Sequence, residues 1–108
     1  MQEGLYTGEF ETPFGKGTGV LHFSNGEING GNSALFYVGT YSVDGNTLNA
    51  EVRTKRFTIS GEVASIFGVD DITIHMEGEI DGDTIVIDGV ADEVPDMQMR
   101  GKLSRVNL

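Results

Sequence analysis

Two histidines, paired carboxylates and one glycine-rich segment are the residues of this 108-residue chain whose types bear on chemistry. His75 stands two residues before Glu77 and shares its strand face, while His22 stands alone. A zinc site needs about four converging ligands, and one His/Glu pair on a strand is more simply a solvated face. Asp70-Asp71 and Asp92-Glu93 have the residue types of an acid–base pair in a hydrolase. Nothing in their surroundings indicates a cleft, and adjacent acids suit an exposed loop. Asp81-Gly82-Asp83 resembles a piece of a calcium loop, but the rest of the ligand series is absent. Gly15-Lys16-Gly17-Thr18-Gly19 has a phosphate-loop look without the spacing or the following helix. No serine sits in a nucleophile elbow. The sequence therefore predicts no catalytic residues, no metal site and no cofactor, and a chain that is not an enzyme.

The elements that carry these residues are strands. Seven glycines alternate in step with large apolar residues: Gly8, Gly17, Gly19, Gly39, Gly78, Gly89 and Gly101. Examples are Tyr6/Gly8/Phe10 and Tyr37/Gly39/Tyr41. Glycine weakens a flat strand, but on the concave side of a sharply curved sheet a missing side chain relieves crowding. Asn25-Gly26, Asp44-Gly45 and Asp81-Gly82 supply hairpin turns, as residue types that accept positive φ. The alternation predicts strands over Leu5–Glu11, Lys16–Ser24, Glu27–Asn29, Ala34–Val43, Thr47–Thr54, Ile72–Ile80, Thr84–Val90 and Met97–Val106. The predicted fold is all-β, a single domain over residues 1–108. It is a small antiparallel up-and-down barrel of about eight strands, calycin- or lipocalin-like. Gly30-Gly31-Asn32-Ser33 is predicted to be irregular. Lys55–Val69 is predicted to be the longest connection, an apolar segment that extends the hairpin, folds over one barrel opening as a plug, or simply packs against the core.

Barrels of this size have interiors that side chains fill or that hold one small ligand. Tyr6, Phe10, Phe23, Tyr37, Tyr41, Met76, Met97 and Met99 are the candidate lining. A small hydrophobic ligand carried there is the alternative functional reading. Phe36 and Val38 have the outward parity of their strand, and an exposed apolar pair of this kind suits a two-fold dimer.

Charge narrows the partners. The net charge is −10, and ten of the 17 carboxylates lie between Asp70 and Asp96, a stretch with no Lys or Arg. Such a surface repels phosphate backbones and anionic membranes, so neither direct nucleic-acid binding nor membrane binding is expected. It attracts a basic protein, and Asp92, Glu93 and Asp96 are the candidate contact residues. There is no cysteine, in keeping with a reducing compartment. No apolar run approaches the roughly 20 residues of a membrane helix, and Met1 to Tyr6 predicts no signal peptide. The expected location is the cytoplasm.

A set of motifs resembles the GrlR family, bacterial negative regulators of type III secretion. These are Gly4-Leu5-Tyr6, the Gly15/Gly17/Gly19 ladder, Asn25-Gly26, Gly30-Gly31-Asn32-Ser33, Tyr37-x-Gly39-x-Tyr41 and Phe67-Gly68-Val69. The resemblance spans nearly the whole chain. It implies a calycin-like barrel with a partly plugged interior, a homodimer, and regulation by sequestering a basic transcriptional activator. Members from pathogens make that contact with a Glu-Asp-Glu-Asp run, which this chain lacks, and Asn32 stands where the family's Asp is expected.

Overall fold

The computed structural model describes residues 1–58 and 71–108. Eight strands form a closed antiparallel barrel in sequential order: β1 (Gly4–Thr12), β2 (Gly15–Ser24), β3 (Glu27–Gly31), β4 (Leu35–Asp44), β5 (Thr47–Arg56), β6 (Asp71–Asp81), β7 (Thr84–Ala91) and β8 (Val94–Arg105). Closure is made by β1 against β8, with Tyr6 opposite Arg105 and Glu11 opposite Arg100. No cysteine, metal or helix is needed to join the edges. The pairing itself satisfies the backbone groups that an open sheet would leave exposed.

The alternation of the sequence fixes which side faces in. Tyr6, Phe23, Ile28, Leu48, Ile72, Ile85, Ile87 and Leu103 are wholly buried and belong to one apolar cluster. Tyr6 meets Phe23 edge-on at 5.2 Å, and Phe23 meets Tyr41 edge-on at 5.1 Å, the geometry that aromatic quadrupoles favour. Two inward glycines show why side chains are missing there. A Cβ on Gly19 would lie 2.5 Å from the Tyr37 hydroxyl, in space the ring already fills. A Cβ on Gly39 would run into the Glu51 carbonyl and lie 2.9 Å from the Cα of Val52, because β4 and β5 approach backbone to backbone.

The turns differ in detail from the expectation. In Asn25-Gly26 both residues take positive φ, at 51° and 78°, as a type I′ hairpin requires. At the β4–β5 and β6–β7 hairpins only Gly45 and Gly82 do so, each at 61°. Asp44 and Asp81 instead close their strands, opposite Thr47 and Thr84. A glycine in the first central position is the type II′ arrangement, which needs no positive φ from the aspartate.

Three boundaries also move. Gly30 and Gly31 are strand residues of β3, paired with Leu21 and Val20 on one side and with Tyr37 and Phe36 on the other. The irregular stretch is only Asn32–Ala34. Its turn is held by the Asn32 carboxamide oxygen, which accepts hydrogen bonds from the Ala34 and Leu35 amides at 2.9 Å. Lys55 and Arg56 extend β5 and pair with Phe36 and Leu35. The remainder of the predicted long loop lies mostly outside the described residues. β8 begins at Val94 rather than Met97, and its register against β7 shifts between Val90 and Ala91. Pro95 has no N–H for a ladder bond, so an irregularity there is its natural place.

Candidate functional site

Antiparallel register builds two outward rows across the β4–β8 side of the barrel. The first runs Thr40, Glu51, His75, Val90, Gln98, and the second Ser42, Asn49, Glu77, Asp88, Arg100. Over these rows the surface is recessed. The concavity has a volume of about 650 Å³, with its floor at Tyr41, Ala50, Met76 and Gly89. Three carboxylates point out of it, from three successive strands: Glu51, Glu77 and Asp88. Glu77 and Asp88 are directly opposite each other, an arrangement that repels and gains nothing for the sheet. The Arg100 guanidinium reaches Asp88 at 3.6 Å. Among the described residues, Glu51 and Glu77 have no ion-pair partner.

His75 sits in the middle of the first row. Its companion is Asp92, with Nε2 2.9 Å from a carboxylate oxygen, rather than the Glu77 two residues along its own strand. The Asp92 amide also donates to the Thr73 carbonyl at 2.9 Å, and the Thr73 amide donates to the Glu93 carboxylate at 2.9 Å. The β7–β8 turn is thereby folded back onto β6. Of the three predicted contact residues, Asp92 and Glu93 are exposed and engaged with β6, Asp92 through His75 of the concavity wall, and Asp96 is exposed in β8. Sequence reasoning missed Glu51. It lies outside the acidic stretch, and only the β5–β6 register brings it beside His75. His22 is exposed on the far wall, opposite Leu5 and Asn29. Among the described residues no three His, Asp or Glu side chains are grouped to hold a metal ion.

The opposite wall carries a different surface. Two cross-strand rows there, Leu5–His22–Asn29–Val38 and Thr7–Val20–Gly31–Phe36, carry no carboxylate, Lys or Arg, and they are bordered by Glu9, Glu27, Arg53 and Lys55. Val20 is 41% exposed and Val38 49%, while Phe36 is half-buried. Phe36 and Val38 thus lie where their parity places them, and Leu5 and Val20 extend the patch.

Inside the barrel, Tyr6, Phe23, Tyr37, Met76 and Met99 are buried, and Phe10, Tyr41 and Met97 are half-buried against the same cluster. Tyr6 donates to the Gln2 carbonyl at 2.5 Å. Burial raises its pKa above the ordinary tyrosine value, and the nearby Arg105 charge opposes that rise. Tyr37 is also raised by burial, against the lowering effect of its 3.2 Å hydrogen bond from the Asn32 amide nitrogen. An aspartate in place of Asn32 would have no N–H to offer this phenol.

No family model matches the chain, and no curated protein matches it. Among the described residues no helix is long and apolar enough to cross a membrane.

Proposed function

We propose that this barrel is a non-enzymatic interaction module that regulates by holding a basic protein, such as a transcriptional activator, in the acidic concavity of β4–β8. The observation that carries the reading is the concavity itself, with Glu51, Glu77 and Asp88 projecting from three adjacent strands and the Asp92–Glu93 turn joined to it through His75. A negative field in a recess attracts and orients a cationic surface more than the same charges on a convex wall. The GrlR resemblance supports the same kind of partner, with these carboxylates serving in place of the family's acidic run. In this reading the uncharged rows of β1–β4, with Phe36 and Val38 at their β4 border beside Lys55 and Arg53, receive a second copy of the chain. They form the side on which two molecules of net charge −10 meet with least repulsion.

Affinity capture from the native cell extract tests the proposal. The wild-type chain is expected to retain a basic protein in low salt and release it as salt rises, since exposed charge contacts are screened within about 8 Å at physiological ionic strength. The triple variant Glu51→Gln, Glu77→Gln, Asp88→Asn is expected to retain at most a tenth as much. A partner held equally by both proteins overturns the assignment of the surface.

A further inference from the structure

Away from the acidic concavity, β2 has an incompletely paired stretch of backbone. β2 pairs with β1 along its whole length, from Gly15 opposite Thr12 to Phe23 opposite Gly4. On its other side it pairs with β3 only from Val20 to Ser24, because β3 ends at Gly31 and the chain turns away at Asn32. In an antiparallel ladder each residue directs both its N–H and its C=O to one side. The closing pair of the β2–β3 hairpin, Ser24 with Glu27, sets the even-numbered residues of β2 toward β3. Gly15, Gly17 and Gly19 therefore bond β1, and the main-chain groups of Lys16 and Thr18 aim at the side that β3 has left. Among the described residues the only partner there is the Asn32 amide nitrogen, at a long 3.4 Å from the Thr18 carbonyl.

We infer that this edge binds an extended segment of a partner polypeptide by strand addition, continuing the line that β3 leaves at Gly31. An unpaired row of N–H and C=O groups is complementary to another strand and to little else. The Tyr37 ring already fills the inward space over Gly19, so the incoming strand is recognised by its main chain and by its outward side chains. The exposed Phe14 stands beside the edge in the β1–β2 turn. On the outward side the Lys16 ammonium, well exposed and 3.6 Å from Glu11, favours a carboxylate on the partner. A second copy of this chain fits less well, since two-fold pairing here would bring two Lys16 side chains together on molecules of the same net charge.

Amide hydrogen exchange and peptide selection test the inference together. In the free protein the Lys16 and Thr18 amides should exchange at least a hundredfold faster than those of Gly17 and Gly19. Slow exchange at both would mean that the edge is already covered, and would overturn the inference. A displayed library of random decapeptides should then yield binders that slow the Lys16 and Thr18 amides. Thr18→Pro removes an N–H that no barrel strand uses, and edge positions accept proline. It should weaken those peptides at least tenfold, whereas Thr18→Val, which keeps the N–H, should not. A library that yields no binders, or binders indifferent to Thr18→Pro in a variant that keeps the wild-type amide spectrum, overturns it equally. None of these outcomes depends on Glu51, Glu77 or Asp88, so the edge and the concavity stand or fall separately.

Discussion

The first four strands and the last four build the same barrel from different materials. Every tyrosine in the chain, and among the described residues every phenylalanine that lies in a strand, belongs to β1–β4: Tyr6, Phe10, Phe23, Phe36, Tyr37 and Tyr41. Most of these rings lie over bare glycines or against one another. β5–β8 contain no Phe, Tyr or Trp and fill their side with Leu48, Ile72, Ile74, Met76, Ile85, Ile87, Met99 and Leu103. The outer walls differ too, with two uncharged rows bordered by Glu9 and Glu27 over β1–β4 and opposed carboxylates over β5–β7. Rigid rings set into glycine notches fix curvature where little charge is present. Adaptable aliphatic packing supports the wall that carries the repulsion.

Substituting the glycines should break this contrast most visibly. Gly39→Ala sets a methyl group against the Glu51 carbonyl and the Val52 backbone, neither of which can move without parting β4 from β5. A loss of about 3 kcal/mol is expected in urea unfolding. Gly89→Ala meets first the end of the Met99 side chain, at 3.1 Å. A thioether chain can repack, and the loss should stay below about 1 kcal/mol. Equal losses at the two sites would remove the distinction between a rigid half and an adaptable half.

The buried phenols give the next largest effect. Tyr37→Phe removes the acceptor of the Asn32 hydrogen bond and should cost about 1 kcal/mol. Both Tyr6 and Tyr37 have pKa values raised by burial from 10.0, so the folded chain holds its phenolic protons more tightly than the unfolded chain. Their contribution is complete below about pH 10 and is lost as pH rises above it. Chemical denaturation between pH 9 and pH 11 should show stability falling, and the fall should be shallower in Tyr6→Phe and Tyr37→Phe. A profile unchanged in both variants would show that the aromatic half does not set the alkaline limit.

The smallest effects lie on the acidic wall. Glu77→Gln relieves the opposition to Asp88 and should raise Tm by on the order of a degree. Added salt should raise Tm of the wild type more than that of the variant, because screening relieves the same repulsion. A lowered Tm in Glu77→Gln would mean that the Glu77 carboxylate has a stabilising role the register does not reveal.

Much of this architecture was legible in the sequence, because glycine parity and apolar alternation mark an inward face strand by strand. Tyr6/Gly8/Phe10 and Tyr37/Gly39/Tyr41 carry that pattern directly. It failed where the pattern is thin. Gly30-Gly31 has no apolar residue to reveal its face, and Val94-Pro95-Asp96 breaks the alternation at the register shift that opens β8. The acidic character of β6 and β7 was plain in composition. The concavity was not, since it depends on register. Glu51 joins it from β5, and the His75–Asp92 contact forms only because the β7–β8 turn folds back onto Thr73.

Which wall receives a cationic partner can be measured on the free chain. A Lys/Arg-rich peptide titrated into the isotopically labelled protein should shift the amide resonances of Thr40, Glu51, His75, Glu77, Asp88 and Gln98 in low salt, with the shifts fading as salt is added. Shifts centred on Val20, Phe36 and Val38, or no shifts at any salt concentration, would contradict the account.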